Sequence, residues 1–188
     1  MLVRLSPGGY MRLANTSTRY GAVSIALHWV MFLLIVAVYA CIELRELYPK
    51  GSDTRDMLKD WHFTLGLCVF ALVWLRLLLR VLQQPPVIEP PLGRMQHLLA
   101  RFMHVGLYLL MIAMPILGWL ILSGEAKPIP FDLPALMAKN KELAKTLEGI
   151  HGTIGEVGYF LIGLHAAAAL FHHYARKDNT LQRMLPLG

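Results

Sequence analysis

Residues 151–176 read HGTIGEVGYFLIGLHAAAALFHHYAR. From 157 to 174 this stretch holds no Asp, Glu, Lys or Arg. At 1.5 Å rise per residue, its roughly 18 residues come close to the ~30 Å hydrocarbon core of a bilayer. A surface helix of that length in water would show a charged face, and this one shows none. It reads as a membrane span with histidines inside it.

Three other runs read the same way: 22–41, 61–82 and 102–123, of which only the second carries charges, Arg76 and Arg80. They explain why 56% of the 188 residues are hydrophobic and only 16% are charged, a balance too apolar for a soluble domain. Strands cannot satisfy their backbone groups singly in lipid, so the spans are helical. The expected fold is all-α and integral to the membrane: one domain over 1–188, a bundle of four transmembrane helices at about 20–44, 61–82, 95–123 and 150–176. The first run is long and has no small-residue cleavage site, so it is expected to stay as a helix rather than leave as a signal peptide.

Charge sets the expected orientation. With both termini on the cytoplasmic side, the inside segments hold Arg4, Arg12, Arg19, Arg76, Arg80, Arg94, Arg101, Arg176, Lys177 and Arg183 against Glu89 and Asp178. The outside segments then hold the other eight of 18 Lys/Arg and ten of 12 Asp/Glu. The inside cations crowd the helix ends in short loops, where such bias counts most. The net charge of +6 is read as topology, not as a nucleic-acid surface, because no basic patch interleaved with aromatics is present. Cys41 and Cys68 lie in or beside apolar runs and predict neither a disulfide framework nor a thiolate site. Pro85, Pro86, Pro90 and Pro91 mark a short inner loop, and the longest loop, about 124–150, lies outside. In it Leu136, Leu143 and Leu147 recur at helical spacing, as either a short interfacial helix or a covered loop helix.

All eight histidines, His28, His62, His97, His104, His151, His165, His172 and His173, lie in or next to the apolar runs. Ionisable groups at membrane depth are expensive and usually functional. His151 and His165 are fourteen residues apart, which puts them within about 40° of one helix face and about 21 Å apart along the axis. Two stacked ligands on one helix suit two haems, each needing a second imidazole at matching depth. His62 follows Asp60 as His151 follows Glu148, near the outer surface. His28 lies about 13 Å from Arg19, and His165 about 16 Å from Arg176. The pairs are therefore His62 with His151 and His28 with His165.

His172 competes for the second pair but misses its depth by about 7 Å. His97 and His104 are read as interfacial or propionate-contacting residues. Bis-imidazole ligation saturates iron and suits electron transfer. A structural zinc site needs four clustered ligands instead. Gly66 and Gly155 follow the outer ligands by one turn, with Ser24 and Ala169 at similar places near the inner ones, which leaves room for a flat ring or serves ordinary helix contact. Arg76 and Arg80 are candidate propionate partners, or snorkel to headgroups. Pro115 and Gly118 mark an expected kink.

These residues carry a resemblance. GYFLIGLHAAAALFHHYARKDNTLQRML at 158–185, RYGAVSIALHWVMFLLIVA at 19–37, WHFTLGL at 61–67 and SGEAKPIPF at 123–131 resemble the bacterial cytochrome b561 family over most of the chain. The resemblance implies a four-helix inner-membrane protein with two haem b groups, held by His28, His62, His151 and His165 as metal ligands. At least one family member is a superoxide oxidase passing electrons to ubiquinone, while others are quinol-oxidising or hydrogenase-linked cytochromes. The first functional reading is therefore a superoxide:ubiquinone oxidoreductase. Lys127 is a candidate for superoxide approach or ordinary loop solvation. His172, His173 and Tyr174 are candidates for a quinone site or an anchored helix end. The alternative is a non-enzymatic electron conduit or anchor for a partner redox protein. A histidine-relay transporter would need broken helices and repeats, and neither is evident. Expected partners are lipid, quinone and superoxide, with no nucleic acid.

Overall fold

The computed structural model describes residues 2–6 and 9–186. Four long helices carry the fold: α1 (Ala22–Leu44), α2 (Asp53–Leu82), α3 (Arg94–Glu125) and α4 (Lys141–Phe171). All four are long and apolar enough to cross a membrane, and their outer faces are greasy: Val81 is 82% exposed and Phe160 81%. Apolar surface on that scale belongs in lipid. The protein is a multi-pass, helical membrane protein. Outside the helices, β1 (Leu2–Ser6) and β2 (Gly9–Arg12) pair antiparallel at the N-terminus, a ribbon the apolar pattern did not foretell.

Two helices start earlier than the apolar runs indicate. Apolarity marks only the lipid-embedded part, and α2 and α4 extend beyond it into polar residues. Asp53 and Asp56 sit in the first turn of α2, where carboxylates complement the helix dipole. The Asn140 side chain caps α4 by accepting from the Leu143 N–H at 3.0 Å. Leu143 and Leu147 consequently belong to the first turns of α4, and Leu136 lies in irregular chain before it, so no separate loop helix forms. α3 stays helical through Pro115.

The chain forms two compact units, and every long helix contributes to both. The terminal unit comprises Met1–Val30, Trp74–Gly106 and Phe160–Gly188. It is laced by its connections. The Asn15 N–H and side-chain amide donate to Gln83 Oε1 (2.7 Å) and the Gln84 carbonyl (3.1 Å). Trp29 Nε1–H donates to the Met184 carbonyl (2.8 Å), and Asn179 and Glu89 exchange a pair of bonds. Arg183, buried, donates to the Pro86 carbonyl. Burial also pulls the Arg183 guanidinium below its ordinary range.

The loop unit comprises Met31–Val73 and Leu107–Tyr159. Its polar hub is Arg55, 7% exposed, which donates to the Arg45 and Tyr48 carbonyls and to both oxygens of Glu46. Four bonds satisfy four of the fork's five N–H donors, the condition for burying a guanidinium at all. The Tyr39 hydroxyl donates to the Gly155 carbonyl (2.9 Å) and lies directly against Gly158, where any Cβ would collide with it. Replacing Gly158 by valine is therefore expected to destabilise the protein by about 1–3 kcal/mol, seen as a lower midpoint of thermal unfolding. Tyr39→Phe in the same background, which removes the colliding hydroxyl, should recover part of that loss.

Candidate functional site

In the loop unit, α2 brings His62 and α4 brings His151 together, ring centroids 6.1 Å apart and planes 72° to each other. Two metal–imidazole bonds of about 2 Å, with the ring radii added, give about that separation. His62 Nδ1 lies 2.9 Å from the Val38 carbonyl. A carbonyl only accepts, so Nδ1 carries the proton and the lone pair is on Nε2. This is the tautomer, held by a backbone acceptor, that metal-binding histidines use. His151 Nδ1 is buried without a hydrogen bond, although the Met114 carbonyl faces its ring.

Both rings line a cavity of about 590 Å³, with Gly66, Gly155, Gly118, Met114, Pro115 and Tyr39 among its walls. That is the size of a cofactor cleft. A Cβ at Gly66 would meet nothing within 4 Å, so the space beside the His62 helix is open. The arrangement fits a flat, iron-bearing ring gripped from both faces.

Lys127 lines the same cavity, but it is paired with Glu125 at 2.7 Å. Arg45 and Lys59, also in the lining, are paired with Glu46 (3.0 Å) and Asp56 (2.7 Å). With Glu43, Glu46, Glu125, Glu148 and Glu156 also present, carboxylates outnumber cations in the lining. The loop lysine is not an isolated positive charge.

In the terminal unit, His28 of α1 and His165 of α4 have ring centroids 6.4 Å apart, again near the separation that two metal–imidazole bonds would give. His104 of α3 stands 5.7 Å from His165 as well. Read from the sequence as an interfacial or propionate-contacting residue, His104 stands beside a candidate ligand instead. Its spacing of seven from His97 was the available signal, since it puts both on one helix face. Arg76 Nη2 lies 3.1 Å from His28 Nδ1. A guanidinium can only donate, so His28 Nδ1 accepts here. Arg80 is exposed and an electrostatic neighbour of His104.

The three residues at the end of α4 diverge. His172–Arg176 form a π turn, in which His172 Nδ1 meets Asp178 Oδ2 at 2.5 Å. The His173 and Tyr174 rings pack edge to face at 4.7 Å, and Tyr174 is exposed. Ser24, read as small beside a ring, donates its hydroxyl to Asn15 Oδ1 at 3.0 Å. Among the described residues, no group of three or more His, Cys, Asp or Glu gathers as a metal cluster.

Comparison with known proteins matches residues 19–187 to the family model described as prokaryotic cytochrome b561. The chain is 38% identical to "Cytochrome b561 homolog 1" of Escherichia coli (strain K12) over 89% of its own length and 97% of that protein. It is 39% identical to the "Probable superoxide oxidase CybB" of Yersinia pestis, over 89% and 96%. "Cytochrome b561 homolog 2" of E. coli is 32% identical over 93% and 95%.

Proposed function

The chain belongs to the prokaryotic cytochrome b561 family of haem b-binding membrane electron-transfer proteins, and from that premise we propose that it is a two-haem superoxide:quinone oxidoreductase of the bacterial inner membrane. The observation that carries the reading is the paired imidazoles, one pair in each unit, at 6.1 and 6.4 Å. His62 and His151 would hold one haem, and His28 and His165 the other. When bound, each iron between two imidazoles supplies one-electron transfer without an open coordination site.

The protein's own residues do the rest. The Val38 carbonyl keeps His62 in the ligating tautomer. Gly66 and Gly155 leave room for the ring. Arg76 must leave His28 Nδ1 for that nitrogen to carry a proton, and the propionates are the anionic partners it would take, with Arg80 beside it. Superoxide would approach along Lys127, losing one electron to leave as dioxygen. The quinone would sit at His172, His173 and Tyr174, taking two electrons and two protons to become quinol. Both termini would face the cytoplasm, as the arginine-rich helix ends favour. The name of the relative from Yersinia pestis supports the choice of donor.

Mixing the purified holoprotein with superoxide in a stopped-flow instrument tests this. Haem bands should reduce at about 10⁸ M⁻¹s⁻¹ or faster and reoxidise when ubiquinone is added. Slow or absent reduction of intact haems would sink the superoxide assignment. A second reading is then ready: a conduit wiring a redox partner protein to the quinone pool. The excess of carboxylates around the loop-unit cavity favours it, because an acidic mouth repels an anionic donor and accepts a cationic partner.

A further inference from the structure

Beyond the paired rings, the terminal unit holds a buried histidine–carboxylate pair whose construction goes further than fastening the chain end. Asp178 lies just past α4, its side chain with no exposed surface. The His172 Nδ1–H donates to Asp178 Oδ2 at 2.5 Å, and the Thr180 N–H donates to Oδ1 at 3.0 Å. The Asp178 N–H in turn donates to the His172 carbonyl at 3.1 Å, closing a ring between the two residues. The chain reaches this position through the π turn and a left-handed Lys177, φ 56°. Both features cost backbone energy, and π turns recur where function needs a side chain re-aimed.

Because Nδ1–H is committed to the carboxylate, the remaining ring nitrogen of His172, Nε2, is the one available for exchange. We infer that Asp178 is a positioning residue for proton delivery: it holds the His172 imidazole so that Nε2 passes a proton to the carbonyl oxygen of a bound quinone. This rests on the quinone reading above and assigns the proton source within it.

The balance is simple. A quinone gains two electrons and two protons and leaves as quinol. The electrons come one at a time from the reductant, each superoxide leaving as dioxygen in the proposed reaction. Each proton given up by Nε2–H is regained from water at the helix end.

Burial raises the Asp178 carboxyl, but the hydrogen bonds from His172 and Thr180 outweigh it and hold the group below the usual carboxylate range. Asp178 is therefore ionised at neutral pH. The other charges facing it are Arg176, with Nε 3.6 Å from Oδ2, and Arg183, an electrostatic neighbour stacked over Tyr20. From the α2–α3 connection, Glu89 joins through its backbone.

The test uses the holoprotein, reduced with dithionite and freed of excess reductant. It is mixed either with a short-chain ubiquinone, which needs protons, or with ferricyanide, which does not. For histidines bound to a metal, removing the carboxylate partner costs about 10–100-fold, and the low end of that range is the expectation for this free imidazole. Asp178→Asn should slow haem reoxidation by ubiquinone about tenfold, with the loss steepest at alkaline pH. Its haem content and its rate with ferricyanide should match wild type, and Asp178→Glu should restore most of the quinone rate. His172→Gln should reproduce the selective loss and carries the test if Asp178→Asn fails to hold haem. Equal quinone rates in variant and wild type, or equal losses with both oxidants, would overturn the assignment. Wild-type haems that ferricyanide oxidises and ubiquinone does not would remove the quinone site itself, and that failure is visible without any variant.

Discussion

Replacing His151 with alanine is expected to leave the purified protein with about half the haem of wild type, measured as pyridine haemochromogen per mole of chain. The lost ring is one of two whose centroids stand 6.1 Å apart across the loop-unit cavity. His62 alone, even with its tautomer set by the Val38 carbonyl, grips one face of the iron and leaves the other to water. His165→Ala should cost the other haem, and the two changes together should leave almost none. His104→Ala is the informative companion. Its ring stands 5.7 Å from His165, and that of His28 stands 6.4 Å from the same ring. If His104→Ala loses a haem and His28→Ala does not, then the terminal-unit ligands are His104 and His165. Full haem in His151→Ala would reject the pairing altogether.

Gly66→Leu should have an equally large effect on cofactor content by a different physical route. No atom lies within 4 Å of the position a Cβ would take, and the residue lines the cavity. The first atom of a leucine side chain therefore meets no protein atom, and leucine gains up to about 0.8 kcal/mol of intrinsic helix preference over glycine. The folded apoprotein should be as stable as wild type by thermal circular dichroism. Haem content should nonetheless fall by about half, because the side chain occupies the space next to His62 where the ring must lie. The contrast with Gly158 is direct: there the collision is with Tyr39, so the protein suffers whether or not haem is present. A Gly66→Leu protein with full haem would place the ring elsewhere.

The sequence reading and the structure meet most closely where the solvent makes the rule. Lipid accepts no unsatisfied backbone and few charges, so four long runs with few or no charges announce four helices, and each run matches one. The same rule falls silent where lipid ends. Nothing in an apolar count says that α2 starts at Asp53 or α4 at Lys141, since those turns are held by caps and charges in water. Lys127 illustrates another gap. In sequence it is a cation in an outer loop; in the fold Glu125 reaches it at 2.7 Å, which removes much of its field as a beacon for an anion.

By itself the sequence determined the membrane class, the number of spans, the family and the set of histidines held within the helices. Each of these follows from composition, from motif or from position along a single helix. Depth along single helices already paired His62 with His151 and His28 with His165; only the tertiary structure set His104 against His165 as well. Helix rotation and partner choice bring His62 to His151, and place His28 and His104 both against His165. They also set Arg76 on His28 and let the chain end fold back so that Asp178 finds His172. Those contacts depend on angles between helices and on the return of a loop. The period of one helix carries neither.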